Sequence, residues 1–451
     1  MKKILLLLII SVSLFSCKKE FEDHNKITEY AAFHAPEAYP GIILGMTKTF
    51  TTSSLYRIIH GPGLTAREFA NMSTYTTEPD LVNGGPELTG DNSSLSSMWS
   101  SLHRSRGVAE KILKYVDEVD FQDADKKMAY KAYAKFYKGM AIGYLSDYWE
   151  KVTLENDADN QATFVTRAEG YSAAIDLFDS ALADLNAQSG AEAVVNGLVS
   201  FQFSFVDVLN AFKARYEMEL GNNQAAYDAA DAVDLSSIST WSYDGGSIKN
   251  PIYASILDPA ATIKIKPIDS LGLQGTQIPE LGDMRNDFYL DYISQLNSDG
   301  DINVDNPEGF WTQEASAIPV YLPGEMLLIK AEAKARMGGA NLVDAVTLLN
   351  EVRTKTGVSD VFGVGASLPT WTGNATSQTD ILNEIYKNYA IELFMEGQRW
   401  PTHRRFYPNY LDTVDWSNMP LRKTLERKNN FYPYPDSERS NNPNCPADPV
   451  Y

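Results

Sequence analysis

Apolar residues recur at steps of three and four along most of this chain, and that spacing predicts helices. Leu95, Met98, Trp99, Leu102, Val108, Ile112 and Leu113 mark one over residues 94–116. A stronger one covers 125–149, where Tyr130, Tyr133, Phe136, Tyr137, Met140, Tyr144, Leu145 and Tyr148 form one broad aromatic face. A ligand platform would give the same stripe, but burial against partner helices is the first reading of so wide a face. The same periodicity predicts helices over 167–185, 203–220, 223–233, 323–337, 342–355 and 379–398.

Two of the breaks between these segments share a design. Ala214 and Ala226 stand twelve residues apart around Gly221, and Ala333 and Ala345 stand twelve apart around Gly338-Gly339. Small residues at that separation let two antiparallel helices approach closely while glycine makes the turn, which is the tetratricopeptide style of hairpin. The expected fold class is therefore all-α, a frame of tetratricopeptide-like hairpins. Residues 234–318, rich in Gly, Pro, Ser and Asp, interrupt the frame as a large irregular loop lobe, and residues 358–378 form a smaller excursion. Long irregular segments in compact proteins are functional or disordered.

The first residues change the picture. Lys2 and Lys3 precede an apolar run from Ile4 to Phe15, which as a helix spans roughly 18 Å. That is well short of a bilayer core of about 30 Å, so residues 1–16 read as a signal peptide. Leu14-Phe15-Ser16-Cys17 then presents a lipoprotein box, and Cys17 is the expected site of acylation, palmitate included, with residues 17–451 as one mature domain. The alternative is a secreted protein with a chance cysteine at its cleavage site. The second of the two cysteines, Cys445, has no partner left for a disulfide and reads as an inert thiol.

Charge and composition exclude more than they select. The formal charge is −20, and the chain without Lys2 and Lys3 reaches −22, the wrong sign for nucleic acid. Twenty-five tyrosines and seven tryptophans suit surfaces that are half apolar and half hydrogen-bonding. The motifs of metalloproteases, serine hydrolases, phosphate loops and paired cysteines are all missing, so no enzyme activity and no cofactor are expected. His24, His34, His60, His103 and His403 are scattered without metal-binding spacing. Asp299, Asp301, Asn303 and Asp305 alternate as weak calcium candidates, but Asn306 and Thr312 occupy the places where an EF-hand needs Gly and Glu. A solvated acidic loop explains them as well.

The most informative segment runs from Glu392 to Phe406. A helix is expected to end at Gly397, followed by a dense cluster of Arg399, Trp400, Arg404 and Arg405. These guanidinium groups are expected to cap the helix, pair with Glu392 and Glu396, and stack on Trp400. An anion site is the alternative.

Glu392, Leu393, Glu396, Gly397, Arg399, Trp400 and Arg404 with Arg405 resemble the signature of the SusD/RagB family of Bacteroidetes surface lipoproteins. Pro401-Thr402-His403 replaces the acidic residue that follows the tryptophan in that family. Glu325 to Ala333 with Leu349-Asn350-Glu351-Val352-Arg353 is similar to a family hairpin, Trp99 to its early helix, and Phe431–Glu438 with Asn442-Pro443 to its closing tail. The likeness spans nearly the whole chain except the 234–318 lobe. It implies a SusD-like frame of four tetratricopeptide-like pairs on the outer face of the outer membrane. There such a protein captures glycan or another nutrient as the lid of a SusC-like TonB-dependent transporter. Lys18-Lys19-Glu20 with Glu22-Asp23 resembles the charged signal for surface export. Alternatives are a surface glycosidase or peptidase, and a structural lipoprotein without a small ligand.

The family has no ligand residues at fixed motif positions, so candidates come from the loops. Trp241, Tyr243, Trp311 and Trp371 lie off the helical stripes and are the expected saccharide-stacking residues. Each could equally pin its own loop to the frame.

Overall fold

The computed structural model describes residues 28–73, 77–198, 203–258, 265–412 and 414–450. The signal segment and Cys17 lie outside the described residues. Helices dominate: α1 (Tyr39–Thr49), α2 (Leu55–Thr65), α3 (Thr77–Asn83), α4 (Ser93–Tyr115), α5 (Ala124–Tyr148), α6 (Arg167–Ala187) and α7 (Ala191–Leu198) fill the first half. After them come α8 (Phe205–Leu220), α9 (Asn223–Asp231), α10 (Pro323–Met337), α11 (Asn341–Thr354), α12 (Gln378–Glu392) and α13 (Arg399–Phe406).

Local chemistry explains where they begin. The Asn92 side chain accepts from Ser94 N and Leu95 N at the start of α4, and Asp123 does the same for Asp125 N and Lys126 N at α5. Thr166 and Glu169 form a reciprocal capping box at α6. Gly221 closes α8 with φ 77°, the left-handed geometry that glycine adopts without strain.

Packing follows the expected order. The pairs α5/α6, α8/α9, α10/α11 and α12/α13 stack in sequence, with α6 against α8 and α9 against α10 joining one pair to the next. Ala214, Ala226, Ala333 and Ala345 are all fully buried at the hairpin contacts, as their spacing predicts. The aromatic face of α5 is core: Tyr133, Phe136, Tyr137 and Tyr148 are buried among Phe205, Phe212, Phe178 and Trp400. Gly143 is what allows Tyr216 of α8 to lie across α5, since a Cβ there would stand 2.0 Å from the Tyr216 ring. One hydrophobic cluster runs from Phe33 to Tyr434.

Two expectations differ from the structure. Residues 39–65, outside the helices that the periodicity predicts, form a nearly continuous helical stretch with a π-helical turn at Phe50–Ser54. Gly61-Pro62-Gly63 looks like a turn in sequence, but the segment is buried on all sides, and the missing side chain of Gly63 lets the Phe69 ring pack against it, where a Cβ would stand 2.4 Å away. The last long helix also ends at Glu392 rather than 398, because Met395 and Gly397 take φ 64° and 75° and turn the chain into α13.

Strands are short and come in antiparallel pairs. β1 (Phe69–Asn71) pairs with β5 (Ile265–Pro267), and β2 (Lys151–Thr153) with β3 (Phe164–Thr166). β4 (Thr240–Trp241) pairs with β8 (Ile318–Pro319), and β6 (Leu290–Leu296) with β7 (Asn303–Pro307). Five of the eight belong to the 234–318 segment, where irregular backbone otherwise prevails. Among the described residues no helix is long and apolar enough to cross a membrane.

Candidate functional site

The Glu392–Arg405 signature is a buried knot rather than a surface site. Glu392 accepts from Arg285 Nη1 at 3.1 Å and pairs with Lys355, while its backbone oxygen accepts from Tyr289 Oη at 2.7 Å. Arg285 and Tyr289 come from the loop lobe, so Glu392 ties that lobe to α12. The arginines do not pair with Glu392 and Glu396 as expected. Arg399 donates to Leu271 O and to Glu426 at 3.0 Å, Arg404 donates to Asn430 O and lies over Phe431, and Arg405 grips Glu332 through two 2.9 Å bonds while also reaching Glu219. Trp400 stacks on Tyr148 and donates Nε1–H to Asn429 O at 2.7 Å. Charges spaced along one short helix are drawn to partners on the surrounding elements, since a buried charge without a partner is costly. Glu396 keeps an unsatisfied Oε1, and burial holds its carboxyl well above the usual range. Pro401 falls in the first turn of α13, where a missing N–H is harmless.

The loop lobe builds a cavity against the frame. Hairpin β6–β7 reaches over β1, and its tip is closed by the Asn297 side chain, which accepts from Asp301 N and Ile302 N. Ser298 donates its hydroxyl to Asn71 O at 2.9 Å, anchoring the tip on β1. Beneath lies a cavity of about 160 Å³, walled by Phe69, Val82, Ile268 and Ile302 and carrying Arg67, Lys423 and Lys428. Lys423 donates to Asp299 at 2.5 Å and stands 3.6 Å from Asp301. Apolar walls alternate with three asparagines (Asn71, Asn83 and Asn297) and four charged side chains, a mixture of apolar surface and convergent polar groups that suits a ligand site.

That lysine also accounts for the acidic alternation. Asp299 and Asp301 face Lys423, Asp305 accepts from Ile293 N and Ser294 N, and Asn303 sits opposite Leu296 in the β6–β7 ladder. The four calcium candidates do not converge on a point, and no group of three acids, histidines or cysteines among the described residues could hold a metal ion.

The loop aromatics chosen from sequence are not brought together. Trp241 is buried against Phe50 and Phe203, and Tyr243 donates its hydroxyl to Thr51 O at 3.1 Å. Trp311 is 0% exposed beside Phe310. Trp241 and Tyr243 pin the lobe to the frame, Trp311 is buried within the lobe, and none of the three offers an open face. Trp371, in the smaller excursion, is half-buried with its backbone N–H on Asn350 Oδ1. An aromatic the sequence reading passed over is the more open one: Tyr292 on β6 is 51% exposed, beside Asn286, Asp287 and the exposed Leu296. No periodicity in the sequence marks it, because β6 is exposed from Asp291 to Leu296 and its register breaks between Asp291 and Gln295.

A second, wider cleft of about 430 Å³ lies between α4, the loop after β2 and the C-terminal tail. Most of its polar groups are engaged with one another. Arg106 donates to Thr153 Oγ1 and Asn156, His103 shares Asn156, and Trp99 Nε1–H points to Glu438. Both faces of the Trp99 ring are covered, by His103 and Phe164. The cavity under the hairpin, with charges less fully used, is the better candidate.

Comparison with known proteins fits this architecture. Residues 303–451 match the SusD family model. A SusD superfamily protein from Bacteroides vulgatus ATCC 8482 superposes with a TM-score of 0.68 at 14% identity, covering 93% of this chain and 100% of the other. The chain carries the SusD fold. The sequence resemblance to SusD/RagB proteins thus holds in the C-terminal third by sequence and across nearly all of the chain by fold. A SusD-like carbohydrate binding protein from Bacteroides fragilis NCTC 9343 aligns with a TM-score of 0.65 at 15% identity over 91% of this chain and 99% of its own. A laminarin binding SusD-like protein aligns at 0.64 and 14% identity over 92% and 99%. No curated protein matches the chain. In this SusD-like frame the signature, the early Trp99 helix and the closing tail meet: Trp400 lies 4.3 Å from the Tyr432 ring, Trp99 meets Tyr434 and Trp149 edge-on, and Trp149 Nε1–H donates to Pro433 O.

Proposed function

We propose that this is a glycan-binding lipoprotein of the cell surface, anchored in the outer membrane through Cys17, that passes its ligand to a SusC-like TonB-dependent transporter. It does no chemistry on the glycan. The observation that carries this reading is a loop-built cavity on a SusD fold, the fold that a laminarin-binding protein shares. In support, Glu392, Arg399 and Arg405 of the signature are tied up in ion pairs between frame, lobe and tail. Tyr292 and Trp371 are the candidates for stacking on a sugar face, with Asn286 and Asp287 near Tyr292 for hydroxyl groups.

Calorimetry of the purified protein against a panel of oligosaccharides tests it. Binding of at least one glycan without release of products is the expected result, and Tyr292→Ala should weaken it about tenfold, the scale of a lost aromatic contact of roughly 1.4 kcal/mol. Hydrolysis of a bound glycan, or no binding anywhere on the panel, refutes the reading.

A further inference from the structure

The lysine at the floor of the hairpin cavity has no partner. Lys428 is 1% exposed and lines the cavity, its stem pressed against Gly84, where a Cβ would stand 2.3 Å from the Lys428 Cβ. Among the described residues no hydrogen bond or ion pair reaches its Nζ. A buried ammonium is normally paired, because taking it out of water unpaired costs several kcal/mol. The charges around it do not supply a partner. Arg67 and Arg399 are cations, and Glu426 is held by Arg399 at 3.0 Å. Burial, then Arg67, holds the Lys428 ammonium well below its ordinary range, against the pull of Glu426.

Lys423 and Arg67 share the cavity, and its one carboxylate, Asp299, already faces Lys423. On a chain of net charge −20 this is a small, enclosed region of positive potential. Such a chain repels a polyanion everywhere except at a site of this kind. We propose that the cavity receives the acidic group of an anionic saccharide, a uronate carboxylate or a sulfate ester, with Lys428 as its ion-pairing partner. The apolar walls from Phe69, Val82 and Ile302 take the carbon face of the same sugar. An arriving anion would restore the charge of Lys428 and give it the partner it lacks.

This inference rests on the glycan-binding reading, and one experiment separates the two. Affinities of the purified protein are measured for oligogalacturonate, a sulfated galactan oligomer, and neutral gluco- and xylo-oligosaccharides, for the native chain and for Lys428→Met and Lys428→Gln. At least one acidic arm is expected to bind, and which arm binds identifies the acid. Both substitutions should weaken that binding at least tenfold. Because Met fills the site without a buried charge, Lys428→Met should melt no lower than the native protein, so loss of binding is not loss of folding. Neutral glycans bound while both acids are refused overturns the inference and leaves the glycan reading standing. Acid binding unchanged in both variants also overturns it. Refusal of every glycan overturns both.

Discussion

Glu68 offers the sharpest physical test of how the loop lobe is fastened to the frame. It is fully buried at the edge of β1, its backbone oxygen accepting from Ile268 N of the lobe at 2.9 Å. One carboxyl oxygen accepts from Met395 N at 3.1 Å, and the other has no partner. Burial pushes this carboxyl up from about 4.5 to about 7, against the opposing pull of Arg399 and the Met395 bond. The folded state therefore holds a proton on Glu68 that the unfolded chain releases, so this group's contribution is most favourable below pH 4.5 and is lost as pH rises toward 7. A gap of roughly 2.5 units at about 1.36 kcal/mol each is about 3 kcal/mol. Glu68→Gln keeps an acceptor for Met395 N and cannot ionise. Any packing cost of the substitution is the same at every pH, so the slope reports the Glu68 proton together with its push on the buried Glu396, which acts in the same direction. Urea unfolding of both proteins at several pH values from 4.5 to 8 should show the variant gaining about 3 kcal/mol on the native chain across the range. His60 and His103, held down by burial to about 4 and about 3, bend each curve the opposite way but cancel in the difference. A difference that is flat with pH would refute the account of Glu68 as a buried, protonated acid.

Two further outcomes follow from placement. Trp311→Ala should destabilise the fold by about 3–5 kcal/mol in chemical denaturation, as for other buried aromatics, with glycan affinity of the folded fraction within twofold of native; a selective loss of affinity would restore it as a ligand platform. Cys17→Ala should leave folding and glycan binding in solution unchanged while abolishing nutrient uptake by whole cells, and uptake at the native rate would show that the lipid anchor is dispensable.

How much of this was legible in sequence depends on what kind of pattern each feature leaves. The α5 stripe and the Ala214/Ala226 and Ala333/Ala345 pairs were read correctly because a helix buried on one side writes its burial into a period of three to four. Residues 39–65 failed that test for a physical reason. Their last turns are buried all round, and Gly63 is there to admit the Phe69 ring, so neither periodicity nor composition betrays a helix. The signature arginines were recognised as structural, yet each was assigned the wrong acids. Arg399 pairs with Glu426 of the tail, Arg405 with Glu219 of α8 and Glu332 of α10, and Arg404 with the Asn430 carbonyl, and only tertiary packing decides among so many acceptors.

The candidate site was the least legible part, and Lys428 shows why. It sits in a run with Arg422, Lys423 and Arg427, which in sequence is a solvated basic stretch of a C-terminal tail. The fold sorts these four alike-looking cations by partner. Arg422 bonds Glu87, Lys423 faces Asp299 and Asp301, Arg427 donates to the carbonyls of Tyr407 and Pro408, and Lys428 is buried with none. Loop tryptophans fail in the mirror-image way: a loop must be held together and fixed to the frame by something large, and Trp311 and Trp241 do that with the same ring a sugar would need. What separates these groups is what surrounds them in the folded chain. The Trp241 and Trp311 rings are covered by the core, whereas Lys428 lines a cavity with no acid paired to it, and that difference belongs to the assembled fold rather than to any residue type or spacing.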